Sequence, residues 1–195
     1  MSSNPYESPA SLPPPPNSAA APSGAPTQSL ESQVRLLLQH GANGANWFYW
    51  IAGLSLVNSV VMLVGGNFVF VVGLAVTGIA DQIAIVIGQK TPEVAIVAKG
   101  VAFAWAVIVA LIVVGIGKLA GRRYMAVYAI GMGLYLVDGL VFLALASWLS
   151  AAFHVYALFM LARGFKAYRQ LQAIEKNLAN STNFSLQVGT HAPLR

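Results

Sequence analysis

From residue 47 to about residue 166 the chain is almost continuously apolar, and the polar breaks in it are short. A helix needs roughly 20 consecutive apolar residues to span a bilayer, and its backbone must satisfy its own hydrogen bonds there. The breaks at Gly65-Gly66-Asn67, Gln89-Lys90-Thr91-Pro92, Lys118 to Arg123 and Ser147-Trp148 therefore read as boundaries. They predict spans at residues 47–64, 95–117, 124–146 and 149–165. A further apolar segment, 68–88, is interrupted by Gly73, Thr77, Gly78, Asp81 and Gln82, and is expected to be re-entrant, interfacial or a fifth span. The fold class that follows is all-α: an integral membrane helical bundle of four crossings plus one re-entrant or interfacial helical segment.

The flanks differ in character. Residues 1–28 hold eight of the ten prolines among Ser, Ala and Asn. Such a stretch buries too little to offset chain entropy, so a disordered tail of polyproline character, acting as a spacer, is expected. Leu30, Val34, Leu37 and Leu38 then share one helical face within residues 29–40. They predict an amphipathic helix on the membrane surface, with Arg35 at the headgroups, ended by the Gly- and Asn-rich residues 41–46. Trp47, Phe48, Tyr49 and Trp50 open the first span as an interfacial aromatic cluster. The opening residues have neither the basic start nor the apolar middle of a cleavable signal, so the first span is expected to act as an uncleaved signal anchor. Beyond the last span, Phe165, Tyr168, Leu171, Ile174 and Leu178 recur every three or four residues. They predict a basic amphipathic tail helix over 167–180, with 181–195 flexible.

Charge placement bears on topology. Eleven Lys and Arg against six Asp and Glu give a net charge of +5. The basic residues border hydrophobic segments instead of lying on a soluble domain, which points to the lipid bilayer as partner and away from nucleic acid. If 68–88 does not cross, Arg35, Lys118, Arg122, Arg123, Arg163, Lys166 and Arg169 all face the cytoplasm, as do both termini. If it crosses, Arg35 moves outside, opposite a chargeless loop. The positive-inside rule around the first span favours four crossings in the cell (plasma or inner) membrane. Lys118, Arg122 and Arg123 are read as topology determinants, with headgroup binding as a second role.

An internal similarity points the same way. Residues 53–63 (GLSLVNSVVML) and 133–143 (GLYLVDGLVFL) share six of eleven identities, with Asn58 matching Asp138. Equivalent helices of a parallel repeat point in one direction, as four crossings require.

Asp138 is the charge most out of place, about 21 Å along its helix from the cytoplasmic end at 1.5 Å per residue. An acid at that depth is a candidate functional residue by default. Measured from the outer ends of their spans, Asn58, Asp138 and His154 lie about 10, 12 and 8 Å deep, so they form a candidate intramembrane polar cluster. An acid beside a histidine suits proton transfer or cation coordination, whereas the plainer reading, preferred here, is an interhelical clamp. Asp81 and Gln82 are expected to face water at the interface. Ser55 and Ser59 are expected to bond their own helix backbone. Gly117 and Gly121, at GxxxG spacing but at a helix end, carry little weight as a packing motif. Gly131, Gly133 and Gly139 are expected to allow close helix approach.

No catalytic residue, metal or cofactor is expected. Cysteine is absent, which excludes disulfides and thiolate sites. There is no HExxH pair, no Walker-type loop and no GxSxG elbow.

With Asn4-Pro5-Tyr6 in a polar start, and with the phrases WFYWIAGLSLVN (47–58) and GLAVTGIAD (73–81), the chain resembles small bacterial multi-pass membrane proteins of no established activity. The resemblance covers about 47–166 and assigns no functional residue. The function expected is a non-enzymatic structural or interaction component of the membrane. It would associate with itself or with another membrane protein through glycine-rich faces. The alternative is a small transporter or channel-like protein using Asp138 with Asn58 and His154.

Overall fold

The computed structural model describes the backbone of residues 25–65 and 73–190, and the side chains of 29–65 and 73–181. The expected disordered tail over 1–28 lies almost wholly outside the described residues, as do 68–72 of the ambiguous segment, the two residues before it and the last five residues. Five α-helices follow one another: α1 (Ala25–Leu63), α2 (Ala75–Lys90), α3 (Ala95–Gly121), α4 (Met125–Ala144) and α5 (Trp148–Thr190). A 3-10 turn at Pro92–Val94 leads into α3, and there is no strand among the described residues. Four helices, α1, α3, α4 and α5, are long and apolar enough to cross a membrane. The fifth, α2, has 16 residues. At 1.5 Å per residue it reaches about 24 Å, short of a hydrocarbon core of about 30 Å.

Side-chain contacts fix the direction of each helix. Ser55 meets Thr77 and Ser59 meets Asp81, both at a separation of 22 residues, so α2 runs parallel to α1. It starts at the level of Ser55, partway along α1, and heads toward the end where α1 stops. Near its own end, α3 packs Gly117 against Phe48 and Tyr49, so it runs antiparallel to α1. In α4, Gly131 lies beside Phe48 and Asp138 beside Ala75, restoring the direction of α1. The repeat segments 53–63 and 133–143 thus sit on helices that point the same way. Finally α5 descends, with His154 at Asp138, Leu161 at Tyr128, Gly164 at Gly44 and Tyr168 at Gly41. The N-terminal part of α1 and the C-terminal part of α5 therefore leave the bundle at the same end.

Two expected boundaries are absent. Residues 29–40 are not a separate surface helix, because α1 runs unbroken through 41–46. The glycines there serve contact instead of termination. A Cβ on Gly41 would clash with the ring edge of Tyr168, and a Cβ on Gly44 would lie 2.5 Å from Gly164 Cα. The usual cost of a mid-helix glycine, about 1 kcal/mol, is offset by the backbone approach of α1 to α5 that it permits. Likewise the tail helix 167–180 is simply the continuation of α5. Gly117 also packs more closely than its position suggested, since a Cβ there would lie 2.9 Å from Phe48 Cβ, whereas Gly121 meets nothing within 4 Å.

Because α1 starts so early, its inner face passes through the aromatic run expected at the interface. Phe48 is buried there, while Tyr49 and Trp50 stay exposed. Phe48 belongs to a cluster centred on Tyr128, whose ring centroid lies 5.6 Å from those of Phe48 and Phe165 and 6.4 Å from that of Tyr168. The Tyr128 hydroxyl donates to Leu161 O at 3.0 Å, so a fully buried phenol leaves no polar atom unpaired.

Candidate functional site

The first N–H groups of any helix lack intrahelical acceptors, and α2 begins inside the bundle, away from bulk water. Its N-cap position is Leu74, whose side chain caps nothing. The acceptors come from other helices. Ser55 Oγ on α1 lies 3.4 Å from Leu74 N. The Asp138 carboxylate on α4 takes the N–H of Ala75 at 2.9 Å through Oδ2 and that of Val76 at 3.2 Å through Oδ1. A carboxylate at this point also faces the positive end of the α2 dipole.

His154 on α5 closes the far side of the carboxylate. Its Nδ1 lies 2.8 Å from Ser150 O, a carbonyl that can only accept, so Nδ1 carries a hydrogen. Its Nε2 lies 3.0 Å from Asp138 Oδ2. In a neutral imidazole with hydrogen on Nδ1, Nε2 offers only a lone pair. The contact therefore holds one proton between Nε2 and Oδ2, whether as imidazolium with carboxylate or as imidazole with carboxylic acid. Tyr135 stacks on the imidazole at 4.5 Å and 17°, and Phe142 packs against it at 5.0 Å. Gly139 lets the two helices approach, since a Cβ there would lie 3.0 Å from His154 Cβ.

Of the three residues predicted to cluster, Asp138 and His154 are in direct contact. Asn58 is buried on α1 and sits at the approach to α2, where a Cβ on Gly73 would lie 3.2 Å from its Nδ2. Asp138 and Asn58 thus border the N-terminal end of the same short helix, and His154 reaches it through Asp138.

A second polar seam joins α1 to α2. Ser55 Oγ and Thr77 Oγ1 are 2.8 Å apart, and Thr77 passes its own hydrogen to Leu74 O at 2.9 Å. One turn on, Ser59 Oγ donates to Asp81 Oδ2 at 2.8 Å. Asp81 is therefore buried against α1 instead of facing water, and only its neighbour Gln82 is exposed. Ser55 and Ser59 bond across helices and not to their own backbone. The sequence did carry a signal for this seam: polar pairs at i, i+4 in two adjacent apolar segments, 55/59 and 77/81. Among the described residues, no buried side-chain nitrogen or oxygen lacks a partner.

The basic residues lie at the other end of the bundle. Lys118 and Arg122 are exposed, and Arg123 pairs with Glu175 at 2.6 Å. Tyr168 donates its hydroxyl to Gly121 O at 3.3 Å, tying α5 to the same turn. No protein-family model, curated protein or solved structure matches this chain.

Proposed function

We propose that the chain is a non-enzymatic, multi-pass protein of the bacterial inner membrane, a structural or interaction component in which Asp138, His154 and Asn58 clamp the re-entrant helix α2. The observation that carries this reading is the use made of Asp138: both its oxygens accept N–H groups of α2, and one also contacts His154. An intramembrane acid spent in this way needs no substrate to account for it. The interaction part rests on Gly53 and Gly133, equivalent positions of the repeat, where an added Cβ would meet nothing within 4 Å. These bare positions suit close approach by a second copy or another membrane protein.

Both termini are placed in the cytoplasm on the same reading. Lys118, Arg122, Arg123, Arg163, Lys166 and Arg169 gather at the end of the bundle where α1 begins and α5 ends, with Lys90 and Lys99 at the other. The positive-inside rule makes the first end cytoplasmic, and headgroup binding by Lys118 and Arg122 is compatible with it. A reporter fused after Gly24 should be read in the cytoplasm; a periplasmic signal overturns the topology. For the clamp, Asp138→Asn should lower stability while wild-type protein in liposomes passes neither protons nor cations. Flux in the wild type that Asp138→Asn abolishes would establish the transporter reading instead.

A further inference from the structure

A cavity of about 410 Å³ lies between α1, α2, α3 and α4. Small-molecule sites typically enclose about 300–1,000 Å³, with apolar walls and a few convergent polar groups. The walls here are apolar side chains such as Ile51, Val113 and Ile116, and the polar groups are Tyr135 and Asp138. Ile112, Leu134 and Val137 also line it, and each is more than half exposed on the outer face of the bundle. The cavity therefore opens sideways, and its occupant arrives from the lipid phase.

Both polar groups have unused capacity. Tyr135 is 5% exposed, yet its hydroxyl makes no hydrogen bond among the described residues. Among the described residues no sealed polar atom lacks a partner, so that hydroxyl is not sealed, and Tyr135 forms part of the cavity wall. Asp138 Oδ1 accepts one N–H, from Val76, which leaves it a lone pair. We propose that this cavity binds a lipophilic ammonium, with its hydrocarbon chain along the apolar walls and its N–H groups on Asp138 Oδ1 and the Tyr135 hydroxyl oxygen. An anionic head would set its own acceptor oxygens against the Oδ1 lone pair, and a plain hydrocarbon would leave both groups unused. The site goes beyond the clamp, because Asp138 continues to hold α2 while the ligand is bound.

Among the described residues, few titratable groups surround Asp138. The cavity walls on α1 and α3 contain no titratable side chain. On α2 the groups facing Asp138 are the N–H groups of Ala75 and Val76, while Asp81 faces Ser59. The remaining titratable neighbours are Tyr135 on α4 and His154 on α5.

The test uses the full chain in nanodiscs of zwitterionic lipid, photolabelled with a decylammonium probe carrying a diazirine in its chain and mapped by mass spectrometry. Label should fall on Ile112, Leu134 and Val137, and be competed by decylammonium but not by decan-1-ol. Tyr135→Phe removes a hydroxyl with no hydrogen-bond partner among the described residues, so the variant should fold as the wild type does while its labelling falls about tenfold. Equal competition by the alcohol, or undiminished labelling of Tyr135→Phe, would each overturn the proposal. The clamp is tested separately, by the stability of Asp138→Asn without any amine.

Discussion

Asp138 Oδ2 accepts the backbone N–H of Ala75 at 2.9 Å across 63 residues of sequence. A side chain of α4 thus supplies the cap that α2 lacks in its own sequence, where Leu74 occupies the N-cap position. This relationship makes the short helix depend on a distant residue for its first turn.

Asp138→Ala should destabilise the protein by about 2–4 kcal/mol, because it strands two N–H groups of α2 and the proton of the His154 contact. Asp138→Asn retains one acceptor oxygen and should cost about half as much. Reversible unfolding in mixed detergent micelles measures the difference. Hydrogen exchange should rise first at Ala75 and Val76 in both variants. An Asp138→Ala protein within experimental error of the wild type would remove the cap from the account.

The pairing of Asp138 with His154 predicts coupling between them. A double-mutant cycle with Asp138→Ala and His154→Ala should give an interaction energy of about 0.6–1.7 kcal/mol, the range seen for hydrogen bonds within membrane bundles. Their contact at 3.0 Å is nearly closed to solvent, with side chains 11% and 2% exposed, so salt should change this value little. Strictly additive effects would show that the two residues act independently.

How much of this was legible in the sequence depends on what each feature rests on. The four long helices and the oddity of residues 68–88 follow from apolar length, which is a local property. Asp138 and His154 could be matched by depth, because 1.5 Å per residue converts sequence position into height. The role of Asp138 could not, since a cap supplied by another helix leaves no local trace at Leu74. The same limit applies to residues 41–46. Local propensity reads glycine and asparagine as a stop, but the helix continues because Gly44 meets Gly164, a partner 120 residues away. Asp81 was misplaced for a related reason: burial against Ser59 is set by the parallel register of α1 and α2, visible only as a matched i, i+4 pattern.

That glycine contact predicts a position-specific response to the same small change. Gly44→Ala and Gly164→Ala each put a Cβ about 2.5 Å from the facing Cα or the Tyr128 hydroxyl, a clash with buried groups. Each should cost about 1–3 kcal/mol as α1 and α5 separate. Gly53→Ala meets nothing within 4 Å and should be neutral or stabilising in the monomer, by up to about 1 kcal/mol. If Gly53 instead lies in a self-association face, Gly53→Ala should weaken dimers measured by energy transfer in liposomes without lowering monomer stability.

The turn between α4 and α5 gives a further contrast of sign. Ala146 is exposed and sits at φ 54, in the left-handed region that L-residues with a Cβ enter at a cost of about 1–2 kcal/mol. Its N–H nonetheless bonds to Leu143 O at 3.1 Å, and Ser147 N–H to Phe142 O at 2.9 Å, so the turn is held by backbone hydrogen bonds that close α4. Ala146→Gly removes the Cβ penalty but adds about 0.4–1 kcal/mol of chain entropy to the unfolded state, leaving a net gain of about 0.5 kcal/mol. Ala146→Val adds a β-branch at the same φ and should lose at least about 1 kcal/mol. Because His154 lies two turns into α5, a disturbed turn would also shift it against Asp138. Ala146→Val should therefore raise exchange at Ala75 and Val76, whereas Ala146→Gly should leave it unchanged.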